Sequence, residues 1–322
     1  MKLAIKLFLL VLVLTGTGQA YAGPAMEWVQ RMADAMRNKS YQGNFVYLHE
    51  NQLESMSIIH IKDSSGERER LFSLNGEARE VIRDNNTLTC IWPASRKVIV
   101  DTSNKNNFSP LFIPDDVARI EKYYDMKIIG RDRIAGHATV IVDIVPKDRL
   151  RYGIKLWINA ENELLMKSNL INDENQVVEQ VMFTNLELLS GEDHLQMISM
   201  PELDDSYTLV RYHSGEVSGN IVADVEWKLS SMPDGFRQQS AVKRKNPETG
   251  RLIQQMVYTD GLAFLSVFIE KQSSSQSLQG GTSMGAVNAF IRILDDYSVT
   301  AIGEVPALTV RQVAESVIYQ KP

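Results

Sequence analysis

The chain is poor in the residue types on which most catalytic and metal chemistry depends. Its 322 residues include one cysteine, Cys90, and five histidines, His49, His60, His137, His194 and His213. A single thiol excludes an internal disulfide and a cysteine-rich zinc cluster. None of the histidines stands in an H-E-x-x-H or comparable ligand spacing, which argues against a metal centre; His49 and His60 face each other only if the first hairpin pairs them. No G-x-G-x-x-G or P-loop pattern is present, so nucleotide chemistry has no signature. Beyond the first residues no apolar run reaches 18, which leaves no pattern for a membrane-spanning helix. A net charge of -6 disfavours a general nucleic-acid binder.

One catalytic pattern does occur, and its context rejects it. Gly281-Thr282-Ser283-Met284-Gly285 matches the nucleophile elbow G-x-S-x-G. That elbow needs a strand before it and a helix after it, with the triad histidine later in the chain. Here a Ser-rich stretch precedes, a strand-like run follows, and no histidine lies beyond His213. No enzyme activity is expected, and no cofactor.

The N-terminus sets the compartment. Lys2 and Lys6 precede the apolar run Leu7 to Leu14, and Ala20-Tyr21-Ala22 supplies the small-x-small site of a signal peptidase. Residues 1–22 therefore read as a signal peptide, and the chain as exported. Its removal takes away two lysines and no acid, moving the net charge from -6 to -8. Cys90 lies in the apolar run Thr87 to Trp92 and reads as a buried structural thiol; a reactive or bridging role is the alternative in an oxidising compartment.

Most of the remaining chain alternates apolar and polar residues in short runs. Tyr41 to Arg83 predicts four strands in succession, divided at Asn51-Gln52, Asp63-Ser64-Ser65-Gly66 and Asn75-Gly76. Both parities of the first strand are apolar, Phe45 and Tyr47 on one face and Val46 and Leu48 on the other, so something packs on each side. Ala25 to Asn38 carries Met26, Val29, Met32, Ala33 and Met36 at helical spacing, and this helix is expected to cover the sheet. Two readings of the covered face stand: an ordinary core, or a cavity for an apolar ligand lined by Phe45, Tyr47, Met32 and Met36.

Further strands are expected at Thr87 to Trp92, Lys97 to Asp101, Met126 to Arg133, Ala138 to Val145, Tyr152 to Asn159, Leu164 to Ile171 and Val177 to Leu188. A loop at Thr102 to Pro110 and a short helix after Pro114 interrupt them. About eleven strands with two helices make a curved antiparallel sheet or incomplete barrel. This large domain is placed at 23–198, an irregular linker at 199–216, and a smaller domain at 217–322. The small domain is expected to hold strands at Glu226 to Ser230, Phe236 to Lys245, Arg251 to Tyr258, Leu262 to Glu270, Ala286 to Leu294 and Ser298 to Val305. Asn246 to Gly250 reads as a turn and Lys271 to Gly281 as a mobile loop. A final helix is predicted from Thr309, with Gln312 completing a capping box.

Two basic groups have a double reading. Arg68, Arg70, Arg79 and Arg83 alternate along the third and fourth strands among glutamates; they form either cross-strand ion pairs or a site for phosphates or an acidic peptide. Arg237, Lys243, Arg244 and Arg251 on the small domain form a candidate partner-binding surface.

Five segments carry a resemblance to a known family. YQGNFVYLHE, GERERLFSLNGEAREVIRD, TCIWP, YTDGLAFLSVFIE and VTAIGEVPALTVRQVAESV, in that order behind a signal peptide, resemble the RseB/MucB family of periplasmic regulators of the sigma-E envelope stress response. The resemblance covers the mature chain and implies an α+β fold. Its large part is an incomplete antiparallel barrel like the lipoprotein carriers LolA and LolB, with helices on the concave side, and a smaller α/β domain follows. It also implies a function: binding the periplasmic domain of the anti-sigma factor RseA, shielding it from the protease DegS, and letting go when lipopolysaccharide or another acylated ligand accumulates. A homodimer is open. A lipid or lipoprotein carrier of the LolA type is the alternative, against which the second domain argues. No individual binding residue carries over from the resemblance.

Overall fold

A computed structural model describes residues 23–50, 52–102, 111, 114, 116–190, 197–201, 203–212, 226–245, 250–272 and 279–319, with backbone alone at 212, 244 and 245. The expected signal peptide, most of the loop after Thr102, the turn at 246–249 and residues 273–278 lie outside the described residues.

The first helix forms where its spacing predicts. α1 (Pro24–Asn38) begins with proline in its first turn, where the missing N–H costs nothing, and Arg37 stands in its last turn. Val29, Met32, Ala33 and Met36 have no exposed surface. Val29, Met32 and Met36 meet β1 (Tyr41–His49) and the apolar faces of the strands beyond it in one core that includes Phe45, Ile58, Leu71, Val142, Leu156 and Phe183.

Among the described residues eleven strands precede residue 189, as the alternation predicts. After β1 come β2 (Gln52–Asp63), β3 (Gly66–Ser73), β4 (Glu80–Asp84), β5 (Thr87–Trp92) and β6 (Lys97–Asp101). A one-turn helix, α2 (Val117–Ile120), is capped by the Asp116 side chain accepting from the Arg119 N–H. Then follow β7 (Tyr124–Ile134), β8 (His137–Pro146), β9 (Gly153–Asn159), β10 (Leu165–Ile171) and β11 (Val177–Leu188). β1 pairs antiparallel with both β2 and β11, so the two runs join into one open sheet in the order β6-β5-β4-β3-β2-β1-β11-β10-β9-β8-β7. Bulges in β11, β7 and β10 sharpen its twist, and α1 covers its inner face. The incomplete barrel with a helix inside is thus the observed architecture.

The segment expected to be irregular is in part structured. Met197, Ile198, Leu203 and Tyr207 pack on the outer face against Ile59, Ile61, Ile82 and Ile91. β12 (Thr208–Tyr212) then adds to β6 in parallel, extending the sheet to twelve strands.

The smaller unit is a six-stranded antiparallel sheet: β14 (Arg237–Lys245), β15 (Leu252–Thr259), β16 (Phe264–Lys271), β19 (Tyr297–Gly303), β18 (Val287–Leu294) and β17 (Gly280–Met284), in that spatial order. α3 (Ala307–Ser316) lies on one face through Val310, Val313 and Ala314, and β13 (Trp227–Leu229) pairs with β20 (Val317–Tyr319) beside it. β17 and β20 were not expected. Ser283, in the G-x-S-x-G stretch, sits on β17 in a hairpin, where its hydroxyl donates to Asn288 at 2.5 Å. The capping box is corrected: α3 starts at Ala307 after Pro306, and the buried Thr309 hydroxyl donates to the Leu150 carbonyl of the large sheet instead, at 2.7 Å.

Candidate functional site

The two sheets meet in a junction built around a buried arginine. The connection between β8 and β9, residues 147–152, drives Arg151 into the space under the turn between β15 and β16. Its Nη1 donates to Asp260 Oδ2 at 2.9 Å, its Nη2 to the Asp234 carbonyl at 2.6 Å, and its Nε to Asp148 Oδ1 at 3.1 Å. The guanidinium lies 5.0 to 5.6 Å from the ring centres of Tyr123, Tyr124 and Phe236. Three polar partners and three aromatic faces are the surroundings a desolvated guanidinium needs.

Asp260 is equally well held. Its Oδ1 accepts the backbone N–H groups of Leu262 and Ala263, and its Oδ2 also accepts the Tyr124 hydroxyl at 2.8 Å. Burial first, and then Asp260, push the Tyr124 phenol well above its ordinary value, so it stays a donor. Around this centre Arg119 donates to the Gly235 and Thr259 carbonyls, and Asn288 donates to the Tyr152 hydroxyl at 2.8 Å. Two glycines permit the approach. A Cβ on Gly235 (φ +92) lands 2.6 Å from the Tyr123 ring, and one on Gly261 (φ +107) lands 3.0 Å from Ile120.

A second contact between the units is acidic. Glu179 on β11 accepts from the Tyr47 hydroxyl and from the Ala286 backbone N–H at the β17–β18 turn. Glu304, between β19 and α3, lies close enough to raise its own carboxyl to about 7, first through desolvation and then through Glu179. Glu179 is raised as well, chiefly by desolvation. Glu304 is exposed, so water screens part of its interaction with Glu179.

The residues singled out from the sequence fall in different places. Met32, Met36 and Phe45 have no exposed surface, and Phe45 packs on Phe183 at 5.4 Å between ring centres. Tyr47 is half-buried and reaches the acidic contact. The four arginines do not share one patch. Arg68 and Arg70 belong to the outer face, where Arg68 pairs with Asp63 and Asp84 and Arg70 with Glu80 at 2.5 Å and the Met197 carbonyl at 3.1 Å. Arg79 pairs with Glu54. Arg83 is alone of the four in standing opposite Glu69 in a row that runs Tyr41, His60, Glu69, Arg83 across four strands of the inner face. Glu69 is buried there, and desolvation raises its carboxyl against the pull of Arg83 and His60. His60 stacks on Tyr41 at 4.8 Å, while His49 pairs with Gln52 in register and contacts Glu54, so the two histidines do not face each other.

On the small unit Arg237 and Lys243 stand at opposite ends of β14, about 20 Å apart at strand rise. Lys243 lies 3.9 Å from Glu226, Arg251 is exposed before β15, and the Arg244 side chain is outside the described residues. Arg151 and Asp260 went unnoticed in the sequence, where nothing distinguishes them from other charged turn residues.

The family model described as the MucB/RseB N-terminal domain matches residues 24–205, and that of the MucB/RseB C-terminal domain matches residues 222–318. The sigma factor AlgU regulatory protein MucB of Pseudomonas aeruginosa is 30% identical over 321 residues, 97% of this chain and 96% of that protein. The sigma-E factor regulatory protein RseB of Escherichia coli K12 is 25% identical over 297 residues, 90% of this chain and 89% of that protein. A solved complex of P. aeruginosa MucA/MucB superposes with a TM-score of 0.72 at 28% identity, covering 92% of this chain and 99% of that one. A crystal structure of MucB in complex with MucA(peri) gives 0.70 at 27% identity, covering 92% and 100%. Two open sheets locked through a buried junction, with these matches, define a regulatory binding protein. The chain belongs to the MucB/RseB family.

Proposed function

We propose that this chain is a periplasmic regulator that binds the periplasmic domain of a membrane-bound anti-sigma factor, of the RseA or MucA kind, and shields it from the site-1 protease DegS, so that sigma-E stays off. The observation that carries this reading is the likeness, over nearly the whole chain, to a protein solved in complex with MucA(peri). Export follows from residues 1–22 acting as a cleaved signal peptide; among the described residues no helix is long and apolar enough to cross a membrane.

The division proposed is a large unit at 23–198, a connection at 199–216 and a small unit at 217–322. Arg237, Lys243, Arg244 and Arg251 remain candidates for contact with the partner, with Arg237 and Arg251 at separate ends of the small sheet. Release is proposed to follow binding of lipopolysaccharide or another acylated ligand. Met32, Met36 and Phe45 are fully buried, so acyl chains reach them only if α1 shifts off the sheet, and Arg83 is the arginine placed to meet a phosphate on that inner face. Ligand and partner must then antagonise each other by the same free energy. The buried Arg151 joins the small unit firmly to the large one, a feature for which a simple carrier has no use.

The test is proteolysis of the cognate anti-sigma factor's periplasmic domain by DegS, with and without the mature chain. Protection that lipopolysaccharide reverses supports the reading; cleavage at an unchanged rate refutes it.

A further inference from the structure

The twelve-stranded sheet is open, and at one end β7 (Tyr124–Ile134) has a strand on one side only. An unpaired edge presents a row of N–H and C=O groups to any extended chain that meets it, and proteins normally cover or charge such edges. Here the edge is uncovered through its middle: Lys127, Ile128, Ile129, Arg131, Asp132 and Arg133 are all exposed, the two isoleucines at 44% and 50%.

The charge on this edge is one-sided. Asp125 is taken by Lys147 at 3.5 Å, and Asp132 accepts from the Trp157 ring N–H at 3.0 Å. Lys127, Arg131 and Arg133 form no ion pair among the described residues. Three free cations along an unpaired strand repel a second copy of the same edge, yet they complement an acidic strand.

Register narrows the position. A bulge between Ile128 and Gly130 interrupts the ladder, and beyond it residues 130–134 pair regularly with β8. Arg131 stands opposite the buried Val140 and Arg133 opposite Ala138, so both lie on one face, about 7 Å apart. That spacing is the spacing of alternate residues in an added strand. Ile128 and Ile129 supply an apolar seat just before it.

We propose that the free edge of β7 is a docking site for an extended acidic peptide, which adds as a strand beside residues 130–134 and sets carboxylates two residues apart against Arg131 and Arg133. Main-chain hydrogen bonds supply affinity in this mode of recognition, and the alternate side chains supply selectivity. The inference stands apart from the anti-sigma reading, since the peptide is identified by its chemistry alone.

The test uses the mature chain and labelled decapeptides followed by fluorescence anisotropy. One alternates Glu with Val, one alternates Lys with Val, and one is the Glu peptide with alternate backbone amides N-methylated on the edge that would face β7. The Glu peptide is expected to bind saturably, to weaken as salt rises, and to raise amide-exchange protection at residues 130–134. The Lys peptide and the N-methylated peptide are expected not to bind. The double substitution R131E/R133E, with unchanged circular dichroism, is expected to weaken the Glu peptide about tenfold or more. Equal binding of the Glu and Lys peptides, indifference to N-methylation, no added protection at 130–134, or no binding at all overturns the proposal.

Discussion

Arg151 Nη1 and Asp260 Oδ2 stand 2.9 Å apart, neither side chain has any exposed surface, and they lie in connections of two different sheets. Burying two charges is costly, and their mutual attraction roughly offsets that cost only while both are present. Removing Arg151 leaves Asp260 buried without a counter-charge, and removing Asp260 leaves Arg151 with the part-exposed Asp148 alone. Arg151→Ala or Asp260→Ala is therefore expected to destabilise the protein by about 3–5 kcal/mol, read from urea unfolding. A loss below about 1 kcal/mol contradicts the role given to the pair.

The acidic contact predicts a pH dependence of the opposite sign to an ordinary salt bridge. Desolvation and Glu179 push the Glu304 carboxyl up from about 4.5 towards about 7, so the folded state holds the extra proton between those limits. The associated stability is fully present below about pH 4.5 and is lost as pH rises through 7. Glu304→Gln is expected to raise the melting temperature at pH 8 and leave it nearly unchanged at pH 4.5. An equal effect at both pH values contradicts the assignment.

Cys90 is 7% exposed, and burial first, then Asp101, pushes its thiol up to about 11. Since the thiolate is the reactive form, alkylation of the native protein at pH 8 is expected to be slow and to accelerate on denaturation. Rapid native labelling would show a thiol in a different setting.

The packing of α1 is open to a direct check. Met36 is fully buried, and its sulfur takes the Leu165 N–H at 3.4 Å. Met36→Ala is expected to cost about 2–5 kcal/mol, the range for a large apolar residue lost from a core. A near-neutral substitution would mean that the helix already leaves a void at this place.

What was legible in the sequence was the local pattern. Turn residues such as Asp63 and Gly66, with alternating side chains between them, give eleven of the twelve strands of the large sheet, and the spacing of Val29, Met32 and Met36 gives α1. β12 escaped because five residues pairing in parallel with β6 carry no turn signal. β17 escaped because Gly280-Gly281-Thr282-Ser283 has the composition of a loop and becomes a strand only through its partner β18. Thr309 reads locally as a cap but finds a better acceptor across the junction at Leu150. The junction itself was invisible: Arg151 and Asp260 are 109 positions apart, and no period or spacing links them. Arg83 was legible as a cation, and its separation from Arg68 and Arg70 onto the other face follows from register.

In the function proposed above the chain, with its two units locked together, grips the periplasmic domain of an anti-sigma factor. The most direct measurement is a calorimetric titration of the cognate anti-sigma factor's periplasmic domain into the mature chain, repeated with added lipopolysaccharide. Saturable binding that lipopolysaccharide weakens is expected. No heat of binding, or binding that lipopolysaccharide leaves unchanged or strengthens, would contradict it.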